Sequence, residues 1–162
     1  MVDKARIEIS IARQTLDYWQ NEQLQASYVV STAVNGAGEM SGSEKTPLGW
    51  HVVRAKIGAN MPTNAVFIGR RFCGEIYSPA LANKYPSRDW VLTRILWLSG
   101  CETGKNRGGD VDSMRRYIYI HGAPDSEPMG VALSHGCIRM RNADLITLFD
   151  QVKAGCSVHI SQ

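Results

Sequence analysis

The sequence predicts a mostly β fold with minor helix, and three observations carry that expectation. Near the start, apolar and polar residues alternate in Ile7-Glu8-Ile9-Ser10-Ile11, the period of a strand with one buried face. The run Arg116-Tyr117-Ile118-Tyr119-Ile120-His121 mixes β-branched and aromatic residues as a buried strand does. A helical pattern comes late, where Leu145, Ile146, Leu148, Phe149 and Val152 fall on one face.

In chain order, Arg6 to Ala12 and Thr15 to Trp19 are expected as a strand pair and Leu24 to Ala33 as a third strand, joined as antiparallel hairpins. Residues 34–43 hold too many glycines and small polar residues for an element interior, which predicts a flexible loop. A strand follows near Trp50 to Ala55, then loop and short helix over Ser78 to Ser87, then a strand along the apolar run Trp90 to Leu98. Asn142 is expected to cap the late helix, which ends near Gly155. A length of 162 residues, without internal repeat, linker or low-complexity segment, predicts one domain over 1–162.

Composition narrows the function classes. Hydrophobic content of 44% and charged content of 20% describe an ordinary globular protein, and a net charge of +3 is too small to argue for nucleic acid. There is no run of about 18 apolar residues of the kind that spans a membrane. Met1-Val2-Asp3-Lys4-Ala5-Arg6 leads straight into a strand pattern with no apolar leader. The four cysteines, Cys73, Cys101, Cys137 and Cys156, show no CxxC pairing. If Cys137 does chemistry, an odd three remain, which suits a reducing compartment and buried, inert thiols. A cytoplasmic location is therefore expected, and a periplasmic one if a leader is missing from this chain.

The chemistry concentrates at Ser134-His135-Gly136-Cys137-Ile138-Arg139, with His121-Gly122 a short hairpin upstream. A cysteine attacks carbonyls only as the thiolate, so it needs a base or positive charge nearby. His121, at the end of a rigid strand, is the candidate base. The eleven residues after Gly122 include Pro124, Asp125, Pro128 and Gly130, punctuation that folds the chain back toward it. Gly136 allows close backbone approach, and the N–H groups of Gly136 and Cys137 are candidate oxyanion donors. Arg139 stands two residues beyond Cys137, on the same face of an extended segment, where its guanidinium suits a substrate carboxylate. Tyr117, Tyr119, Trp90 and Trp97 are expected in the core. Arg115 and Arg116 are expected either to attract an anionic substrate or to keep a strand edge soluble.

His121-Gly122, eleven residues, then Ser134-His135-Gly136-Cys137-Ile138-Arg139-Met140 resembles the signature of the L,D-transpeptidase catalytic domain, the YkuD-type family of peptidoglycan-processing cysteine enzymes. Thr46-Pro47-Leu48-Gly49-Trp50 resembles that family's Thr-Pro-x-Gly-aromatic segment. Asn142-Ala143-Asp144-Leu145-Ile146, with Gly155 and Val158, resembles its C-terminal helix and strand. The likeness runs from about Arg6 to Ile160. Residues 70–112 fit it least and are expected to be an insertion near the cleft. The resemblance implies a β-sandwich or barrel-type catalytic domain. It implies Cys137 as nucleophile, His121 as base and Gly122 as the residue whose carbonyl orients the imidazole. His135, Gly136 and Cys137 would line the oxyanion hole through their N–H groups, with Arg139 and Ser134 toward substrate. It further implies attack on the bond between the L-centre of meso-diaminopimelate and a terminal D-alanine, with acylation by carbapenems.

Two other patterns carry less. Gly100-Cys101-Glu102-Thr103-Gly104-Lys105-Asn106 is one residue short of a P-loop and has Asn where the magnesium ligand belongs. His121, His135 and Cys137 as a zinc site would lack a placed general-base carboxylate. The expectation is an enzyme with no metal and no cofactor, acting on peptidoglycan stem peptides or soluble muropeptides, without nucleic-acid or membrane partners. Its expected function is an L,D-carboxypeptidase trimming D-alanine from tetrapeptides in cell-wall recycling. The alternatives are an exported transpeptidase making 3-3 crosslinks and a silent peptidoglycan-binding module.

Overall fold

In the computed structural model, which describes residues 4–162, the N-terminal alternation becomes three strands: β1 (Ala5–Ser10), β2 (Thr15–Gln20) and β3 (Gln23–Ser31). They pair as antiparallel neighbours, and Ile7, Ile9, Leu16, Tyr18 and Val30 are buried on the core side. Next come β4 (Gly49–Ile57), β5 (Ala65–Ile68), β6 (Arg71–Ile76), α1 (Pro79–Lys84) and β7 (Leu92–Gly100). The chain finishes with β8 (Tyr119–Gly122), β9 (Ile138–Met140), α2 (Asn142–Gln151) and β10 (Ser157–Ser161). The ten strands lie in the order β4-β10-β1-β2-β3-β9-β8-β7-β5-β6, and β4 also pairs with β7. That last pairing closes the sheet from β4 round to β7 into a barrel and leaves β5–β6 as a hairpin outside the ring. Closure removes the free edges that an open sheet would present.

One face of β8 and β9 sends Ile120, Ile138 and Met140 into the main core, where Leu145, Leu148, Phe149 and Val152 of the α2 region join them. On the opposite face lies a second apolar cluster. Tyr119, Ile95, Ala65 and Phe67 are packed there with Trp97, Met61 and Cys137 under the β5–β6 hairpin. Gly69 and Arg70 turn that hairpin, both at positive φ as a two-residue I′ turn requires.

Several expectations change. The strand expected over Arg116 to His121 starts only at Tyr119. Tyr117 is left-handed (φ 57°) and half exposed, because the chain is still turning out of the Met114–Tyr117 bend. The unit joining His121 to Cys137 is not a hairpin, because β8 and β9 run parallel. Their connection is fastened to the end of β3 instead: Ser31 Oγ donates to Val131 O (2.7 Å), and Ser134 N donates to Thr32 O (2.9 Å). Residues 70–112 are not one appended unit. β7 lies inside that span yet is a wall of the barrel between β4 and β8, while the stretch around Asp89 and the hairpin tip at Arg70 reach the cleft. The cap of α2 is Arg141, with no side-chain bond, and Asn142 turns inward. The helix stops at Gln151, short of Gly155. Cys156 is buried, whereas Cys73 and Cys101, expected buried, are exposed.

Candidate active site

The parallel register pairs His121 with Arg139 and Ile120 with Ile138. Side chains alternate along a strand, so Tyr119, His121, Cys137 and Arg139 share the face turned away from the main core. His121 is 1% exposed. Its Nδ1 lies 2.7 Å from Gly122 O, so Nδ1–H donates to that carbonyl and Nε2 is left as the unprotonated acceptor. Gly122 is required here. A Cβ would collide with Asn142 Oδ1 and come within 2.6 Å of Leu92 O.

The Cys137 thiol sits between two backbone groups. It donates to Tyr117 O at 3.3 Å and accepts from Tyr119 N at 3.3 Å. Burial pushes its pKa up to about 12, and the Asp89 charge adds to the rise. The Tyr119 N–H, Arg139 and Arg116 oppose it. Burial also holds the His121 imidazole below its ordinary range, against the Gly122 hydrogen bond and Asp89. Both shifts favour the uncharged forms, thiol and imidazole. A proton must move before sulfur attacks.

Within the loop before β9, Ser134 is committed to the chain. Its hydroxyl donates to Cys137 O (2.6 Å) and accepts from Gly136 N (3.2 Å), so it is a loop brace rather than the substrate contact expected. The Gly136 N–H, one of the expected oxyanion donors, makes that bond within the loop. Thr46, fully buried, donates from Oγ1 to Gly136 O (2.9 Å) and accepts from Ala33 N (3.0 Å). In a trans peptide the N–H opposes the C=O, so fixing Gly136 O turns the Cys137 N–H the other way. The His135 ring is exposed and lines cavities on both sides. Arg139 is not free. Its Nη2 is 2.9 Å from Asp89 Oδ1, and its Nη1 donates to Leu133 O (3.3 Å).

The sequence alone did not find Asp89, Thr46, Tyr117 or Arg70. Arg70 donates to Tyr119 Oη (3.1 Å) and lies over the Trp97 and Tyr117 rings at 4.9 and 4.7 Å, pinning the hairpin tip beside Cys137. Of these, only Thr46 carried a signal, in its Thr-Pro-x-Gly setting. Tyr119 and Trp97 are packed as expected, while Tyr117 lines the cleft. Arg116 is partly buried rather than set on a strand edge, and it lines the cavity that holds Cys137. Its guanidinium donates to Gly38 O, Glu39 O, Ser43 Oγ and Lys45 O, tying down the glycine-rich loop expected to be flexible.

Two cavities flank His135. One, about 240 Å³, is lined by Ser41, Glu44, Arg115, Arg116, Tyr117 and Cys137; the other, about 130 Å³, by Arg88, Asp89, Glu127 and Arg139. A larger cavity of about 600 Å³ between Lys4, Trp50 and Lys153 includes none of these site residues.

Fold and site together define a closed β-barrel that carries a cysteine and a buried histidine on its outer face. The L,D-transpeptidase catalytic domain (YkuD) matches residues 4–160, and the chain belongs to that family. Among curated proteins no match is found. Of the solved structures, L,D-transpeptidase 3 from Mycobacterium tuberculosis with a faropenem-derived adduct is similar at 15% identity and TM-score 0.62, covering 99% of this chain and 61% of that one. The LD transpeptidase LdtMt1 in complex with imipenem is similar at 20% identity and TM-score 0.59, covering 98% and 59%. An L,D-transpeptidase from Mycobacterium smegmatis is similar at 15% identity and TM-score 0.58, covering 99% and 59%. The chain thus spans about three fifths of the length of these solved chains. Among the described residues, no helix is long and apolar enough to cross a membrane.

Proposed function

We propose that this chain catalyses acyl transfer from the tetrapeptide stem of peptidoglycan through a thioester on Cys137. The observation that carries the reading is the Cys137 thiol held between Tyr117 O and Tyr119 N on the same sheet face as His121, whose Nδ1 is tied to Gly122 O. His121 Nε2 takes the thiol proton as sulfur adds to the diaminopimelate carbonyl. The Cys137 and His135 N–H groups receive the oxyanion, and the imidazolium gives its proton to departing D-alanine. Arg139 binds a substrate carboxylate once that group replaces Asp89.

The acceptor then decides the product. Water, activated by His121, completes the L,D-carboxypeptidase reaction that would suit recycled muropeptides in the cytoplasm. An amine from a second stem completes transpeptidation. Two things favour the second reading: a cavity on each side of His135, one holding Glu44 to meet an ammonium, and similar proteins that are described as L,D-transpeptidases.

Incubation with a soluble disaccharide-tetrapeptide, followed by mass spectrometry, tests both. Tripeptide and free D-alanine indicate hydrolysis, and a crosslinked dimer indicates transpeptidation. Either product should vanish in a folded Cys137→Ala variant. Turnover surviving that substitution would end the proposal.

A further inference from the structure

We propose that Asn142 and Thr93 are positioning residues for His121, acting through the backbone of Gly122 and Ala123. This inference rests on the Cys137–His121 reading above. The β7–β8 ladder pairs Leu92 with Gly122 and then Ile95 with His121, so Thr93 and Arg94 are extra residues directly opposite the His121–Gly122 step. Such bulges re-aim neighbouring groups and are common beside active sites. Thr93 sits in this bulge at φ 76° and is fully buried. A β-branched residue enters the left-handed region only when its surroundings over-determine it.

The surroundings here are a closed set of hydrogen bonds. Thr93 Oγ1 donates to Asn142 Oδ1 (2.6 Å) and accepts from Asn64 N (3.0 Å). Asn142, 1% exposed, donates from Nδ2 to Ala123 O (3.0 Å), with Asn64 Oδ1 at 3.1 Å and Asp125 Oδ1 at 3.2 Å as further acceptors. Its Oδ1 also occupies the space where a Cβ on Gly122 would stand.

Gly122 O belongs to the Gly122–Ala123 peptide, and Ala123 O to the next one. Asn142 clamps the second and fills the space beside Gly122, which restricts rotation of the carbonyl that takes the His121 Nδ1–H. The tautomer and ring plane follow from that carbonyl. An asparagine that looks like a helix cap in the sequence therefore fixes which imidazole nitrogen is left free to accept a proton.

The test is the pH-dependent rate of Cys137 alkylation by iodoacetamide, quantified by peptide mapping so that Cys73 and Cys101 are counted apart. Asn142→Ala and Thr93→Val should each slow it, the first roughly tenfold near neutral pH, a fraction of what a positioned base contributes. Thr93→Ser, which keeps the hydroxyl, should restore near-native rates. On a His121→Ala background neither substitution should slow alkylation further, because the base they orient is gone.

A merely structural role would give added losses on that background, which would overturn the inference. Native rates in Asn142→Ala and Thr93→Val, with His121→Ala slow, would overturn it too while leaving the Cys–His reading intact. A His121→Ala protein as fast as wild type would defeat both. If Asn142→Ala does not fold, the Thr93 pair decides alone.

Discussion

Acid should unfold this protein partly through one histidine outside the active site, and the effect can be sized. His51 on β4 is fully buried, with Nδ1 3.0 Å from Gly49 O and Nε2 2.9 Å from Ser113 Oγ. Nδ1–H donates to the carbonyl and Nε2 accepts the serine hydroxyl, so the neutral ring is satisfied at both ends. Burial lowers its pKa to about 4, against the smaller opposing pull of the Gly49 carbonyl and Glu102. In the unfolded chain it titrates near its ordinary value of 6.5. As pH falls the unfolded state takes up the proton first, so the contribution is complete above 6.5 and is lost on descent toward 4. At about 1.36 kcal/mol per pKa unit, the whole loss is about 3 kcal/mol, of which about 1 kcal/mol has gone by roughly pH 5.5. That is a sizeable part of a typical domain's stability. Urea unfolding of wild type and His51→Gln between about pH 7.5 and pH 4.5 reads it out, and the slope of stability against pH is independent of what the substitution itself costs. His121 is displaced in the same direction and is present in both proteins, so the difference in slope isolates His51. Parallel pH dependences would refute the assignment.

Two further outcomes test the loops that frame the cleft. Asp89→Asn should speed alkylation of Cys137 at mildly alkaline pH by roughly two- to fivefold, since it removes a negative charge that raises the thiol and frees the Arg139 guanidinium to lower it; an unchanged or slower rate would contradict that electrostatic account. Arg116→Ala deletes four hydrogen bonds to the 38–45 loop from a half-buried guanidinium. It should cost about 2–4 kcal/mol in chemical denaturation and open the loop to limited proteolysis, and an intact loop with unchanged stability would argue against the staple.

What could be read in the sequence was whatever is encoded locally. Alternation announced β1 to β3, the apolar run announced β7, and the i, i+3, i+4 face of Leu145, Leu148, Phe149 and Val152 announced α2. The spacing of His121-Gly122 from Ser134–Arg139 likewise marked the cleft, because a nucleophile, a base and small residues for close approach are recognisable by type. The failures share one cause. Arg116 and Tyr117 have strand-like side chains, yet their conformation follows from a turn that ties Arg116 to residues more than 70 positions away. Ser134 and the Gly136 N–H looked available because nothing local shows that they bond each other. Asn142 looked like a cap because a helix begins there, and only the β7 bulge gives its side chain a better partner. The sequence by itself determined which residues can do chemistry and which segments are strands. The tertiary structure alone decided the barrel closure of β4 on β7, the parallel pairing of β8 with β9 and the meeting of Asp89 with Arg139. Each of these joins backbone or charge across a long separation, where the partner is chosen by packing of the whole chain and leaves no period in the sequence.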